Sequence, residues 1–142
     1  LPPPVRREAD FAALVRRVAS LHGERVTVET GLDVRLDVDA DQIEQVLINL
    51  IRNAVEAAGD AGGVRVRWRT TNGQLLAEVE DDGPGLARTD NLWVPFFTTK
   101  PGGTGIGLVL SREIVENHGG SISLENRLGA HGCVARISLP VD

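Results

Sequence analysis

One segment constrains this chain more than any other. Between Ala40 and Ala58, the residues Ile43, Val46, Leu47, Leu50, Ile51, Ala54 and Ala58 recur at three- and four-residue spacing. They form one broad apolar face of a helix, and a face that wide has to be covered by other elements. Asp39 is placed to cap the helix, with Gln42 three residues on completing a capping box, and Gly59 ends it. On both sides the pattern changes to period-two alternation, which reads as strands at Arg25–Glu29, Val34–Val38, Val64–Thr70, Leu75–Glu80, Ser121–Asn126 and Cys133–Leu139. Asn72-Gly73 is a strong hairpin signal between the third and fourth of these. Two more helical patterns complete the set. One carries Phe11, Leu14, Val15, Val18 and Leu21 and stops at Gly23, and the other runs from about Gly105 to His118 and stops at Gly119-Gly120. The order predicts an α+β two-layer sandwich, a mixed sheet covered on one face by about three helices.

The length of 142 residues suits one domain with a core. The prolines of LPPPVRRE cannot open a helix, so residues 1–7 read as a linker remnant and residues 8–142 as the domain. With 42% hydrophobic and 25% charged residues the chain is neither disordered nor membrane-spanning, and no signal peptide is expected. A net charge of −5 gives no footprint for nucleic acid. The single cysteine, Cys133, alternates with Ala135, Ile137 and Leu139 and reads as the buried face of a strand. It cannot form an internal disulfide, and the three scattered histidines make no zinc pattern, so a reducing, cytoplasmic setting is the simplest fit.

Three segments carry the chemistry. On the helix at 40–58, Gln42, Gln45, Asn49, Asn53 and Glu56 fall on one stripe beside the apolar face. Asn is a poor helix former, and amide and carboxylate oxygens facing a cavity suit a hard cation such as Mg²⁺. In VEDDGPGL a strand delivers Asp81 to its end, where a buried carboxylate can accept from an exocyclic amine. Gly83 and Gly85 let a flat ring approach the backbone there. In KPGGTGIGL a glycine-rich helix start offers backbone amides to an anion, with Lys100 as a further phosphate contact. It is neither a P-loop nor the dinucleotide fingerprint. Each segment alone has a plainer reading: a polar flank, an Asp-Gly turn, a flexible loop with a helix cap. Together, in this order, they describe an adenine acceptor, a metal face and a phosphate cradle, with a lid of about residues 82–104 between them.

In this combination the chain resembles the catalytic ATP-binding domain of two-component sensor histidine kinases, of the kind related to nitrogen-regulation sensors. The similarity covers about residues 8–140. LINLIRNAVEAA matches the N box, EDDGPGL the G1 box, VPFFTTK the F box and GGTGIGL the G2 box. The implied fold is the Bergerat (GHKL) fold, shared with gyrase-type ATPases and heat-shock chaperones. The resemblance implies ATP and Mg²⁺ as cofactors, with Asn53 holding the metal and Asn49 beside the phosphates or metal. Asp81 would take the adenine amino group in a pocket shaped by Gly83 and Gly85. Gly103, Thr104, Gly105, Ile106, Gly107 and Leu108 would form the G2 cradle, with Lys100 on the phosphates. Phe96 and Phe97 would anchor the lid or dock on the histidine-bearing helices.

The implied activity is phosphoryl transfer from ATP to a histidine on a dimerisation domain, and from there to a response regulator, in a cytoplasmic domain that is monomeric alone and touches neither membrane nor nucleic acid. Some features depart from the pattern. The stretch between the G1 and F boxes is about two residues short, and Glu56 stands where many members carry Lys. The phosphoacceptor histidine is absent, since His22 and His118 read as helix C-terminal residues. Three other readings remain: a gyrase- or chaperone-type hydrolase, an anti-sigma-type serine kinase, and a partner-binding module without catalysis. The hydrolases carry a Glu four residues before the metal Asn, where this chain has Asn49.

Overall fold

The computed structural model describes residues 2–29, 32–60, 62–85 and 107–141. In chain order the elements are β1 (Arg7–Asp10), α1 (Phe11–Ser20), β2 (Val26–Val28), β3 (Arg35–Val38), α2 (Ala40–Ala58), β4 (Val64–Thr71), β5 (Gln74–Asp81), α3 (Gly107–Asn117), β6 (Ser121–Asn126) and β7 (Cys133–Pro140). Five strands form one mixed sheet in the order β2-β4-β5-β7-β6, in which β2 runs parallel to β4 and the other pairs are antiparallel. The expected α+β sandwich is therefore observed, with α1, α2 and α3 packed on one side of the sheet.

Period-two alternation decides which side is covered. Val64, Val66 and Trp68 of β4, Leu75, Ala77 and Val79 of β5, and Ala135, Ile137 and Leu139 of β7 are buried beneath the helices. Cys133 lies buried at the start of the same row. The intervening residues face outward as a lattice of ion pairs: Arg67 meets Glu29, Glu78 and Glu80, and Arg136 meets Glu78 and Glu125. Asn72-Gly73 closes the β4–β5 hairpin with positive φ at both residues, as a two-residue hairpin turn requires.

Helix α2 buries Ile43, Val46, Leu47, Leu50, Ile51, Ala54 and Val55. Burying a Val, Leu or Ile side chain is worth about 1.5–3 kcal/mol, enough to fix which face turns inward. Helix α1 starts at Asp10, whose carboxylate accepts from the amides of Ala12 and Ala13. Phe11 meets Trp68 edge to face, with ring centroids 5.6 Å apart, and Trp68 Nε1 donates to the Leu32 carbonyl.

Three local expectations are corrected. Leu21 is 70% exposed, because α1 ends at Ser20 and Leu21 lies beyond the last turn. The strand at Val34–Val38 does not join the main sheet. As β3 it pairs with β1 in a separate two-stranded ribbon, a partner that the charged segment Arg7-Glu8-Ala9-Asp10 gives no alternation to announce. The capping box is half made. Asp39 Oδ1 accepts from the Gln42 amide, but the amide of Asp39 donates to His118 Nε2, and Gln42 Nε2 donates to the Pro2 carbonyl instead. The amino-terminal residues are docked on the domain as well: Val5 N–H donates to Asp39 Oδ2, and Arg6 Nη2 to the Asn117 carbonyl.

Candidate functional site

Strand β5 ends on Asp81, whose side chain turns to the helical side and is 5% exposed. Its Oδ1 accepts from the amides of Gly83, at 2.9 Å, and Cys133, at 3.3 Å. Among the described residues both hydrogen bonds to this carboxylate fall on Oδ1, which leaves Oδ2 as the acceptor that a ligand amine can use. Burial pushes the carboxyl above the ordinary aspartate range, and the two amides hold it partly back.

The next residue behaves in the opposite way. Asp82 is gripped by Arg65 and Arg127 and by the Gly63 amide, and the Arg65 guanidinium holds its carboxyl well below the usual range. One carboxylate is thus clamped on the outer side of the sheet end and its neighbour is buried on the inner side. The alternation of β5 carried past its last rung produces this division.

The glycines are placed by close approach. A Cβ on Gly83 would lie 2.6 Å from the Ala57 carbonyl oxygen, so the chain leaving β5 runs directly against the last turn of α2. Gly85 has φ +87°, and a Cβ there would meet Asn126 Oδ1 at 2.7 Å. The end of β5, the carboxyl end of α2 and the β6–β7 hairpin therefore meet around Asp81. Arg25 secures the end of α2 by donating to the carbonyls of Val55 and Gly59.

Helix α2 also carries the amides. Asn53 is half-buried and Glu56 exposed, in the turns that lead toward Gly83. Asn49, one turn earlier, is 3% exposed. Its Nδ2 donates to the Gly107 carbonyl and to Ser111 Oγ, at 3.4 and 3.2 Å, which ties α2 to the first turn of α3. Gln45 donates to Asn49 Oδ1. Gln42 stays at the far end of the helix, about 16 Å along the axis from Asn53 at ~1.5 Å per residue.

Gly107 opens α3, and Leu108 is half-buried against the core. Lys100, Gly103, Thr104, Gly105 and Ile106 lie outside the described residues, as do Phe96, Phe97 and most of the expected lid. His118 is buried at the end of α3, with Nδ1 on the Ile114 carbonyl and Nε2 accepting from Asp39. Both ring nitrogens are occupied, which suits a structural residue and not a phosphoacceptor.

Sequence reasoning missed Ser111, Arg65, Arg127 and Arg25. Only Ser111 left a signal, as a hydroxyl three residues from Leu108 and Ile114 on a packing face. A concavity of about 640 Å³, lined by Arg67, Glu78, Ser123 and Arg136 among others, lies on the outer face of the sheet, away from Asp81 and Asn53.

Residues 38–142 match the family described as histidine kinase-, DNA gyrase B- and HSP90-like ATPase. The chain is 40% identical over 119 residues to the C4-dicarboxylate transport sensor protein DctB of Rhizobium meliloti, a match spanning 75% of this chain and 19% of that protein. It is 38% identical over 109 residues to the sensor histidine kinase ZraS of Escherichia coli K12, covering 75% of this chain and 23% of ZraS. The chain therefore spans only about a fifth to a quarter of these relatives. The solved catalytic domain of the histidine kinase ThkA superposes with a TM-score of 0.83 at 32% identity, covering 96% of this chain and 95% of that one. The chain belongs to the histidine kinase-, DNA gyrase B- and HSP90-like ATPase family and has the fold of a sensor histidine kinase catalytic domain.

Proposed function

We propose that this domain binds Mg²⁺-ATP and presents the γ-phosphate to a histidine on the dimerisation domain of the same kinase, from which a response regulator is phosphorylated in the cytoplasm. The observation that carries the reading is the Asp81 carboxylate. It is buried, its Oδ1 is already held by two backbone amides, and it stands at the junction of β5, α2 and the β6–β7 hairpin. A carboxylate in that setting selects a ring with an amino group and disfavours one with a carbonyl at the same place. The relatives support the rest: the structures similar to this chain include ThkA in complex with the response regulator TrrA.

The donor set fits Mg²⁺ of a particular kind. Among the described residues no group of three or more His, Cys, Asp or Glu gathers as a protein-only cage. A nucleotide-associated Mg²⁺ would need only one or two protein oxygens, and the half-buried Asn53 amide would offer one. Bound there, the ion would neutralise charge on the phosphate oxygens. Phosphoryl transfer otherwise rests on positioning, and the residues of this chain provide that. Asp81 orients the base, Gly83 and Gly85 admit it against the backbone, and the start of α3 with Lys100 and the glycine run receives the phosphates. The nucleophile belongs to another domain. Asn49, unlike a glutamate, cannot accept a proton from water, so hydrolysis by this chain alone is expected to be slow.

Calorimetric titration with a non-hydrolysable ATP analogue, with and without Mg²⁺, tests the reading. Micromolar-range binding that is lost in Asp81→Asn is the expected result. No binding by the parent chain would defeat the proposal and favour a partner-binding module.

A further inference from the structure

One of the two amides on Asp81 Oδ1 comes from the first residue of β7, a step past the end of a ladder. The β5–β7 pairs stop at Glu80 and Val134, and the Cys133 N–H donates to the Asp81 side chain at 3.3 Å. Among the described residues no β5–β7 rung holds that donor, so its position depends on the β6–β7 turn before it, residues 127–132. The turn lies hard against β5. Gly132 has φ +119°, and a Cβ there would run into the Asp81 carbonyl oxygen.

Arg127 closes this turn and anchors it. Its backbone N–H donates to the Gly132 carbonyl, and its Nη1 to the His131 carbonyl. Its stem crosses Gly132, with Cδ 2.9 Å from where a Cβ would stand. The same Nη1 donates to Asp82 Oδ1 at 2.8 Å, and Nη2 lies 3.6 Å from Glu80 Oε1. Asp82 is held in turn from the start of β4, where Arg65 donates to both of its oxygens and the Gly63 amide to Oδ2.

We propose that Arg127 is a positioning residue for base recognition. Anchored on Asp82, it sets the β6–β7 turn so that the Cys133 amide fixes Asp81 Oδ1 and leaves Oδ2 for the 6-amino group of a purine. Arg127 thus acts through Asp81 and not on the base. This rests on the reading of Asp81 as the adenine acceptor.

The 142-residue chain is titrated at neutral pH with ADP and with the 5′-diphosphate of purine riboside, which lacks only the 6-amino group. Phosphate contacts are common to both and cancel in the ratio of their affinities, which reports the Asp81 contact. Arg127→Met keeps the stem and removes the guanidinium. It is expected to lower the preference for ADP about fivefold, the scale of one hydrogen bond. Asp82→Ala removes the anchor and is expected to lower the preference as well. The control is Arg136→Met, which removes a guanidinium paired with Glu78 and Glu125 on the same sheet face and should keep the parent ratio.

The sign of the Asp82 result separates positioning from the electric field at Asp81. The Arg127 charge favours the ionised Asp81 carboxyl and the Asp82 charge opposes it. A field effect would therefore lower the ratio in Arg127→Met and raise it in Asp82→Ala, and that opposite pair overturns the proposal. An unchanged ratio in Arg127→Met overturns it too, and if both nucleotides bind more weakly there the role is merely structural. An equal loss in Arg136→Met has the same force. A parent chain that binds neither nucleotide, or binds both equally, is a separate failure: it removes the adenine reading of Asp81, and the proposal with it.

Discussion

Gly83→Ala is the sharpest test of how the adenine end is assembled. The added Cβ would sit 2.6 Å from the Ala57 carbonyl oxygen, 2.8 Å from the Ala57 carbonyl carbon and 2.9 Å from Asp81 Oδ1. Two of these obstacles are backbone in the last turn of α2, which Arg25 holds in place and which cannot swing aside as a side-chain tip would. The φ of Gly83 is not in the left-handed region, so the cost is steric and not conformational. Overpacking of this kind costs about 1–3 kcal/mol. Displacing the turn also weakens the 2.9 Å bond from the Gly83 amide to Asp81, worth about 0.5–1.5 kcal/mol. The sum of these ranges is about 1.5–4.5 kcal/mol, or roughly 5–16 °C in melting temperature for a domain of this size.

Urea denaturation and thermal melting measure the stability, and adenosine titration measures the site. The control is Gly63→Ala, whose Cβ would meet Asp82 Oδ2 at an ordinary 3.5 Å. It is expected to change stability by less than about 0.5 kcal/mol. If Gly83→Ala proves no more costly than Gly63→Ala and leaves adenosine affinity intact, the close packing of β5 on α2 is not what shapes the pocket.

The remaining predictions address the surroundings of the site. Arg25→Ala removes two bonds to the carboxyl end of α2 and should lower stability by about 1–2 kcal/mol in urea; an unchanged midpoint would show that the guanidinium is dispensable there. Asp82 has a folded-state pKa below its unfolded value, so its contribution is present above the unfolded pKa, near ~4, and is lost as pH falls further. The acid limb of a stability-against-pH curve should therefore flatten in Asp82→Asn, and an identical limb would refute the clamp by Arg65 and Arg127. Burial pushes the Cys133 thiol up to about 11, with the Asp81 carboxylate adding to the shift. Iodoacetamide at pH 8 should label the native chain far more slowly than the urea-unfolded chain, and equal rates would contradict the burial.

Much of the fold was legible because its signals are local. The face of α2 is written in residues three and four apart. The β4–β5 hairpin is written in Asn72-Gly73, where both residues must adopt positive φ. The buried row of β7 is written in the alternation from Cys133 to Leu139. The position of Asp81 at a strand end followed from the same periodicity.

The sequence determined, by itself, every element named above except β1, most of their inward faces, and the family. Only the tertiary structure decided the partners. That β3 joins β1 and leaves β2 to pair with β4 depends on segments brought together by the whole core. That Asp39 is completed by His118, 79 residues away, and not by Gln42 depends on where α3 ends. The Asn49–Ser111 contact spans 62 residues, and Cys133 reaches Asp81 across 52. Periodicity specifies which side of an element is apolar, but a hydrogen bond is specified by the position of one donor atom to within a few tenths of an ångström. That position is set by the packing of every element between the two residues, which no local stretch of chain contains.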